Sequence, residues 1–163
     1  MTFVVIRLRS PVNIDKKRED TLKFLRLTRV NHCTVVPSTP NIKGMLKKVK
    51  DIVSWGEIES EVLSTMLKTR SNIKDGLTDK MVNDHTGYET VEDFAEAVIS
   101  GKEDISCIDG LKNLFRMHPP KGGHRGIKKP FKSGGSLGYC GKEINSLLNR
   151  MIGPEYNDKK GEE

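Results

Sequence analysis

The run Gly134-Gly135-Ser136-Leu137-Gly138-Tyr139-Cys140-Gly141-Lys142 holds the residues best suited to chemistry on a phosphate. Glycines let backbone N–H groups approach an anion, and a lysine neutralises it. The pattern fails in detail. The leading glycine of a phosphate loop is missing, Glu143 stands where a magnesium-binding hydroxyl residue belongs, and no hydrophobic strand precedes the run. His118 and His124, with Cys107 or Cys140, could supply metal donors, but their intervals match no zinc pattern. No Ser or Cys sits in a nucleophile elbow or beside a candidate base. His32 and Cys33 are adjacent, and neighbours on a strand point to opposite faces. Glu92 and Asp93 stand in a polar helix start, where carboxylates complement the helix dipole. The expectation is therefore no catalysis, no cofactor, no metal and no small-molecule substrate.

What remains is basic charge. The 163-residue chain carries a net charge of +6 and a pI near 9.2. Nucleic acid is the first partner this suggests, and an anionic membrane surface the second. The charge is distributed in blocks. Residues 1–71 are net +7, residues 72–109 net −7, and residues 110–163 net +6. Two basic blocks flank an acidic one, so a polyanion cannot coat the chain uniformly. The acidic block is expected to face solvent, protein or the basic blocks. No segment approaches the roughly 20 apolar residues of a membrane span, and Phe3-Val4-Val5-Ile6 is too short for a signal-peptide core. The three cysteines are odd in number and widely spaced, which fits a reducing cytoplasm.

The elements that must position these charges are legible from periodicity. Phe3 to Leu8 reads as a strand, with Val4, Ile6 and Leu8 on one face and Phe3, Val5, Arg7 and Arg9 on the other. A basic helix follows around Leu22 and Leu25, with Asn13 or Asp15 as its cap, and His32 to Val36 is a second strand. Ser38-Thr39-Pro40-Asn41 starts the cleanest amphipathic helix, with Ile42, Met45, Leu46, Val49 and Ile52 inward and Lys43, Lys47, Lys48 and Lys50 outward. Val53 to Ile58 is a third strand, interrupted at Trp55-Gly56. Residues 1–58 thus read β-α-β-α-β, with a helix pair on one face of a small sheet.

Beyond it, residues 59–109 read as an acidic helical extension. Its marks are Val62, Leu63, Met66 and Leu67 on one helix, a start at Leu77-Thr78-Asp79-Lys80 ending before Gly87, a capping box at Thr90-Val91-Glu92-Asp93, and a stop at Gly101. Residues 110–153 hold a Gly-rich basic loop and a last helix of Ile144, Leu147, Leu148 and Met151; residues 154–163 read as a disordered tail. From Gly110 to Lys142 there is no Asp or Glu and there are eight basic residues. Such a segment is expected to be structureless until polyanion contact orders it.

Two runs carry a family resemblance. Thr21-Leu22-Lys23-Phe24-Leu25-Arg26-Leu27-Thr28-Arg29-Val30-Asn31-His32, with Val35-Val36-Pro37 and Asn41-Ile42-Lys43-Gly44-Met45-Leu46, resembles the L-thirty family of large-subunit ribosomal proteins, called L-seven in eukaryotes. Phe115-Arg116-Met117-His118-Pro119-Pro120-Lys121-Gly122-Gly123, continuing through Gly126-Ile127-Lys128-Lys129, Gly134-Gly135, Leu137-Gly138 and Glu143-Ile144-Asn145, is similar to the C-terminal segment of its long archaeal and eukaryotic members. Met1-Thr2-Phe3 opens directly on the first strand, which favours the archaeal form over the eukaryotic one with its basic N-terminal arm.

The resemblance implies an α+β, ferredoxin-like core with a three-stranded antiparallel sheet in order 3-1-2. Periodicity alone favours parallel strands with crossover helices. The resemblance also implies binding to large-subunit ribosomal RNA beside neighbouring ribosomal proteins, without catalysis. Arg26, Arg29, Asn41, Lys43, Arg116, Lys121, Lys128 and Lys129 inherit the expectation of RNA contact. The charge pattern adds Arg7, Arg9, Lys17, Lys47, His124, Arg125 and Lys132 to that set. Tyr139-Cys140 departs from the more polar pair expected there. A free-standing RNA-binding regulator of translation is the alternative. It needs aromatics on an open sheet face, where only Phe3 is well placed.

Overall fold

The computed structural model describes residues 2–10, 12–71, 73, 76–123 and 126–152. His124, Arg125 and the 154–163 tail lie outside the described residues. The chain runs β1 (Thr2–Arg7), α1 (Lys16–Phe24), β2 (His32–Pro37), α2 (Pro40–Lys48), β3 (Val53–Glu57), α3 (Ser60–Thr69), α4 (Asp79–Thr86), α5 (Val91–Ser100), β4 (Phe115–Arg116), β5 (Gly138–Tyr139) and α6 (Ile144–Ile152). The first five elements are the expected β-α-β-α-β core. β1 pairs antiparallel with β2 and with β3, in the order 3-1-2.

The helix boundaries follow local chemistry. Thr39 Oγ1 accepts from Ile42 N–H with Pro40 just inside α2, and Thr90 Oγ1 accepts from Asp93 N–H at α5. Gly87 and Gly101 end α4 and α5 in the left-handed conformation. Asp15 stands at the N-cap of α1 without a side-chain capping bond. β3 runs through Trp55-Gly56 without interruption. Gly56 is needed there because a Cβ would lie 2.0 Å from the Gly141 carbonyl oxygen, which crosses directly over the strand.

The sheet is buried on both sides. Phe3, Val5, Val53 and Trp55 pack with Leu22, Leu25, Leu27, Leu46 and Val49 beneath α1 and α2. Val4, Ile6, Leu8, Cys33 and Val35 pack with apolar side chains of α3, α4, α5 and α6. The acidic helices therefore form the second covering layer.

The Gly110 to Lys142 segment is not structureless, which corrects the expectation from its composition. Leu111, Phe115, Met117, Leu137 and Cys140 are anchored in the second core at intervals along it. It also closes both open edges of the core sheet. β4 pairs antiparallel with β2, and the Asn113 side chain imitates a strand there: Oδ1 accepts from Val35 N–H at 3.0 Å and Nδ2 donates to Val35 O at 2.6 Å. β5 pairs in parallel with β3, giving a five-stranded mixed sheet in the order β4-β2-β1-β3-β5. Glycine-rich composition misled because a few apolar anchors and two-residue pairings suffice when an exposed edge supplies the missing hydrogen bonds.

Gly56→Ala is expected to destabilise the fold by about 1–3 kcal/mol through overpacking against backbone, lowering Tm by roughly 3–10 °C. Gly44→Ala in α2, where an added Cβ meets nothing within 4 Å, is expected to raise stability by about 0.5–1 kcal/mol. Thermal unfolding of the two variants beside the parent checks both signs.

Candidate nucleic-acid interface

One end of the sheet gathers residues from four segments. β1 finishes there at Arg7, β2 begins at His32, and β4 brings Arg116 opposite His32. The turn Thr28–Asn31 closes onto the same end, with Asn31 N–H donating to Arg7 O at 2.8 Å and Met117 N–H to Asn31 O at 3.0 Å. Arg7, Arg29 and Arg116 all act on His32. Burial pushes the His32 pKa below its ordinary value, and the charges of Arg116, Arg29 and Arg7 push it the same way. His32 is therefore neutral at physiological pH, and its Nδ1 lies 3.5 Å from Thr28 Oγ1.

Arg7 departs from the expected RNA-facing placement. It is 2% exposed, its Nη1 donates to Leu27 O at 2.7 Å and its Nε to Arg9 O at 3.0 Å. Among the described residues its other terminal nitrogen has no hydrogen-bond partner. Desolvation lowers its pKa, opposed by the charge of Glu19, and among the described residues it forms no ion pair. Arg7 lies on the same face as Phe3 and Val5, as alternation predicts, and the turn after α1 covers it there.

Arg26 sits in a conformation that favours glycine. Leu27 N–H donates to Leu22 O at 2.8 Å and Arg26 N–H to Lys23 O at 3.0 Å, the paired bonds of a Schellman cap. Arg26 occupies its left-handed position with φ 64°. Leu22 and Leu27 are buried and supply the apolar contact that goes with this cap. Placing a residue with a Cβ there costs about 1–2 kcal/mol.

The other candidates are exposed. Arg9 reaches Asp51 O at 3.4 Å. Lys17 lies on α1, and Asn41, Lys43 and Lys47 lie on α2. These helical residues belong to the layer formed by α1 and α2. Lys121 stands in a segment bolted to the end of α6, where His118 N–H donates to Met151 O, Lys121 N–H to Arg150 O, and Arg150 Nη1 to Gly123 O. Lys128, Lys129 and Lys132 are carried by a closed loop. Ser136 N–H donates to Gly126 O at 2.9 Å and Phe131 N–H to Leu137 O at 2.8 Å, and Gly135 passes so near Lys129 O that a Cβ would be 1.9 Å away. Lys132 shares a cleft with Lys50, Trp55 and Tyr139. Lys50 belongs beside the loop lysines, and no local signal marks it, since the two meet only through the β3–β5 pairing.

The described ion pairs are Arg18–Asp15, Lys23–Glu19 and Lys68–Glu92. Among the described residues, Arg9, Arg26, Arg29, Arg116, Lys128, Lys129 and Lys132 are thus not taken up by carboxylates. Thr2, at the opposite end of β1, donates through Oγ1 to Val98 O and Ile99 O of α5. Glu103 and Asp104 line a cleft with Thr2 and Pro37, and Glu59, Glu61 and Glu96 line another with Ile58. The acids of α3, α5 and the segment after α5 therefore gather at the Thr2 end of the strands, while Glu19 and Asp51 stand near the arginine end. No helix among the described residues is long and apolar enough to cross a membrane.

The sequence is similar to known proteins. Residues 3–53 match the family described as ribosomal protein L30p/L7e. The chain is 45% identical over 149 residues to the large ribosomal subunit protein uL30 of Methanopyrus kandleri, covering 89% of this chain and all of that protein. It is 46% identical over 151 residues to uL30 of Archaeoglobus fulgidus, covering 91% of this chain and 99% of that one. A third relative, uL30 of Methanoculleus marisnigri, is 42% identical over 151 residues. With relatives matched along nearly their whole length, and a β-α-β-α-β sheet over the residues of the family model, the chain belongs to the L30p/L7e family of ribosomal proteins.

Proposed function

We propose that this chain is a structural constituent of the large ribosomal subunit that binds folded large-subunit ribosomal RNA in the cytoplasm, beside neighbouring ribosomal proteins. The observation that carries the binding surface is the set of arginines at one end of the sheet, with Arg29 and Arg116 exposed around His32 and, among the described residues, no carboxylate paired to them. Guanidinium forks fixed by backbone pairing suit phosphate recognition on a rigid RNA surface. The lysines of the 126–137 loop extend the same chemistry as point charges. The surface holds, buries and orients; none of these groups is arranged around a reacting atom.

If phosphate contact dominates, affinity falls steeply with salt. Replacing Lys128, Lys129 and Lys132 together by Gln is expected to shallow the log K against log salt slope by about 2 to 3, at roughly 0.7 to 0.9 for each lost contact. Filter binding to large-subunit ribosomal RNA at several salt concentrations reads it, and an unchanged slope removes the loop from the interface. Sedimentation of tagged protein with the large subunit, instead of in the light fractions, separates a ribosomal constituent from a free regulator.

Two further variants separate binding from folding. Arg26→Gly is expected to raise Tm by about 2–4 °C, because glycine fits the left-handed position, while RNA affinity falls; equal affinity would mean the arginine is there for neither purpose. Glu96→Lys and Glu103→Lys, at the acidic end, are expected to leave RNA affinity within about twofold, since that end lies beyond the Debye length of roughly 8 Å from the arginines.

A further inference from the structure

Phe24, the last residue of α1, is 76% exposed, although its neighbours Leu22 and Leu25 are buried. Among the described residues it joins no ring pair. The other exposed aromatic is engaged: the Tyr139 hydroxyl donates to Glu57 Oε1 at 2.6 Å, and its ring lies 6.4 Å from those of Phe3 and Trp55. A phenyl ring this exposed at the tip of a helix contributes little burial to the fold. It stands two residues before Arg26, whose side chain makes no ion pair among the described residues and whose backbone is held against its preference. Two adjacent departures from what folding alone favours mark one spot on the surface.

The chemistry of that spot selects the occupant. The helix ends here, and its carbonyl pole disfavours phosphate in direct contact. The Thr21, Leu22 and Lys23 carbonyls are already taken by the N–H groups of Leu25, Leu27 and Arg26. What fits on the ring is a flat, neutral, polarisable face, with a cation beside it for the backbone that carries that face. We propose that Phe24 stacks on an unpaired nucleobase of the bound RNA, with Arg26 beside it holding the same nucleotide's sugar-phosphate. This rests on the RNA-binding reading and deepens it: the helix tip contacts a splayed base, while the sheet end contacts phosphates. Base stacking on an aromatic tolerates any sequence and needs only an unstacked base.

The test is binding of the full chain to large-subunit ribosomal RNA at several salt concentrations, with thermal melts alongside. Phe24→Ala and Phe24→Leu are each expected to weaken binding roughly tenfold, and Phe24→Trp to preserve it. The slope against log salt stays at the parental value in all three, because the ring neutralises no phosphate. The melts stay near the parental Tm, since the side chain is largely exposed. Phe24→Ala binding RNA as tightly as the parent overturns the proposal; if that variant also fails to enter the large subunit, the ring's partner is a neighbouring protein. Equal binding by Phe24→Leu and the parent overturns it as well, because apolar area without a ring then suffices. A parent chain that does not bind the RNA at all fails the underlying reading first, and that control is read before any variant.

Discussion

β1 lies in the middle of the sheet with apolar side chains on both faces, and the rest of the molecule answers to that. Val4, Val5 and Ile6 are fully buried, and each is worth about 1.5–3 kcal/mol only if both sides of the strand are covered. A β-α-β-α-β unit of this size covers one face with α1 and α2. The second face needs another layer, which α3, α5 and α6 provide. A three-stranded sheet sandwiched this way still has two open edges. The 110–142 segment closes them from opposite sides, with β4 and Asn113 against β2 and β5 against β3. Asn145 then locks the closure, accepting from Glu59 N–H and donating to Glu57 O and Lys142 O.

Closing the second face with acidic helices has an electrostatic consequence. The helices enclose the Thr2 end of the strands, where Glu59, Glu96, Glu103 and Asp104 collect, and Arg29 and Arg116 stand at the Arg7 end. A six-residue strand spans about 20 Å, against a Debye length of roughly 8 Å at physiological salt. The acids of the Thr2 end are therefore screened from Arg29 and Arg116.

Much of this was legible in the residues and some was not, for physical reasons. Thr39, Thr90, Gly87 and Gly101 marked helix ends because their chemistry acts within a few positions. The core strands were legible because β-branched runs repeat. The antiparallel order of the sheet came from the resemblance, since periodicity cannot distinguish it from a parallel one. β4 and β5 were not legible: two residues carry no period, and each pairs only because an edge was left open about 80 residues away. Arg7 was misplaced because alternation says which face a residue takes but not what covers that face. Phe24 escaped notice because Leu22, Leu25 and Phe24 look alike until the helix is docked.

The buried guanidinium joins these observations. Arg7 donates to Leu27 O and Arg9 O, bridging the turn after α1 to the segment after β1. Leu27 is the closing residue of the cap that carries Arg26, and Thr28 to His32 follow directly. A planar fork can hold two carbonyls of different segments at fixed angles, as a lysine or an apolar side chain cannot. Its charge adds to burial and to Arg116 and Arg29 in lowering the His32 pKa. Burying a cation this way works against stability, and holding Arg26 in a glycine's conformation does so again. Both departures from what folding favours converge on one turn, and that turn sets where Phe24, Arg26 and Arg29 stand. The exposed groups of this turn are therefore placed from inside the protein, by a residue that is itself buried.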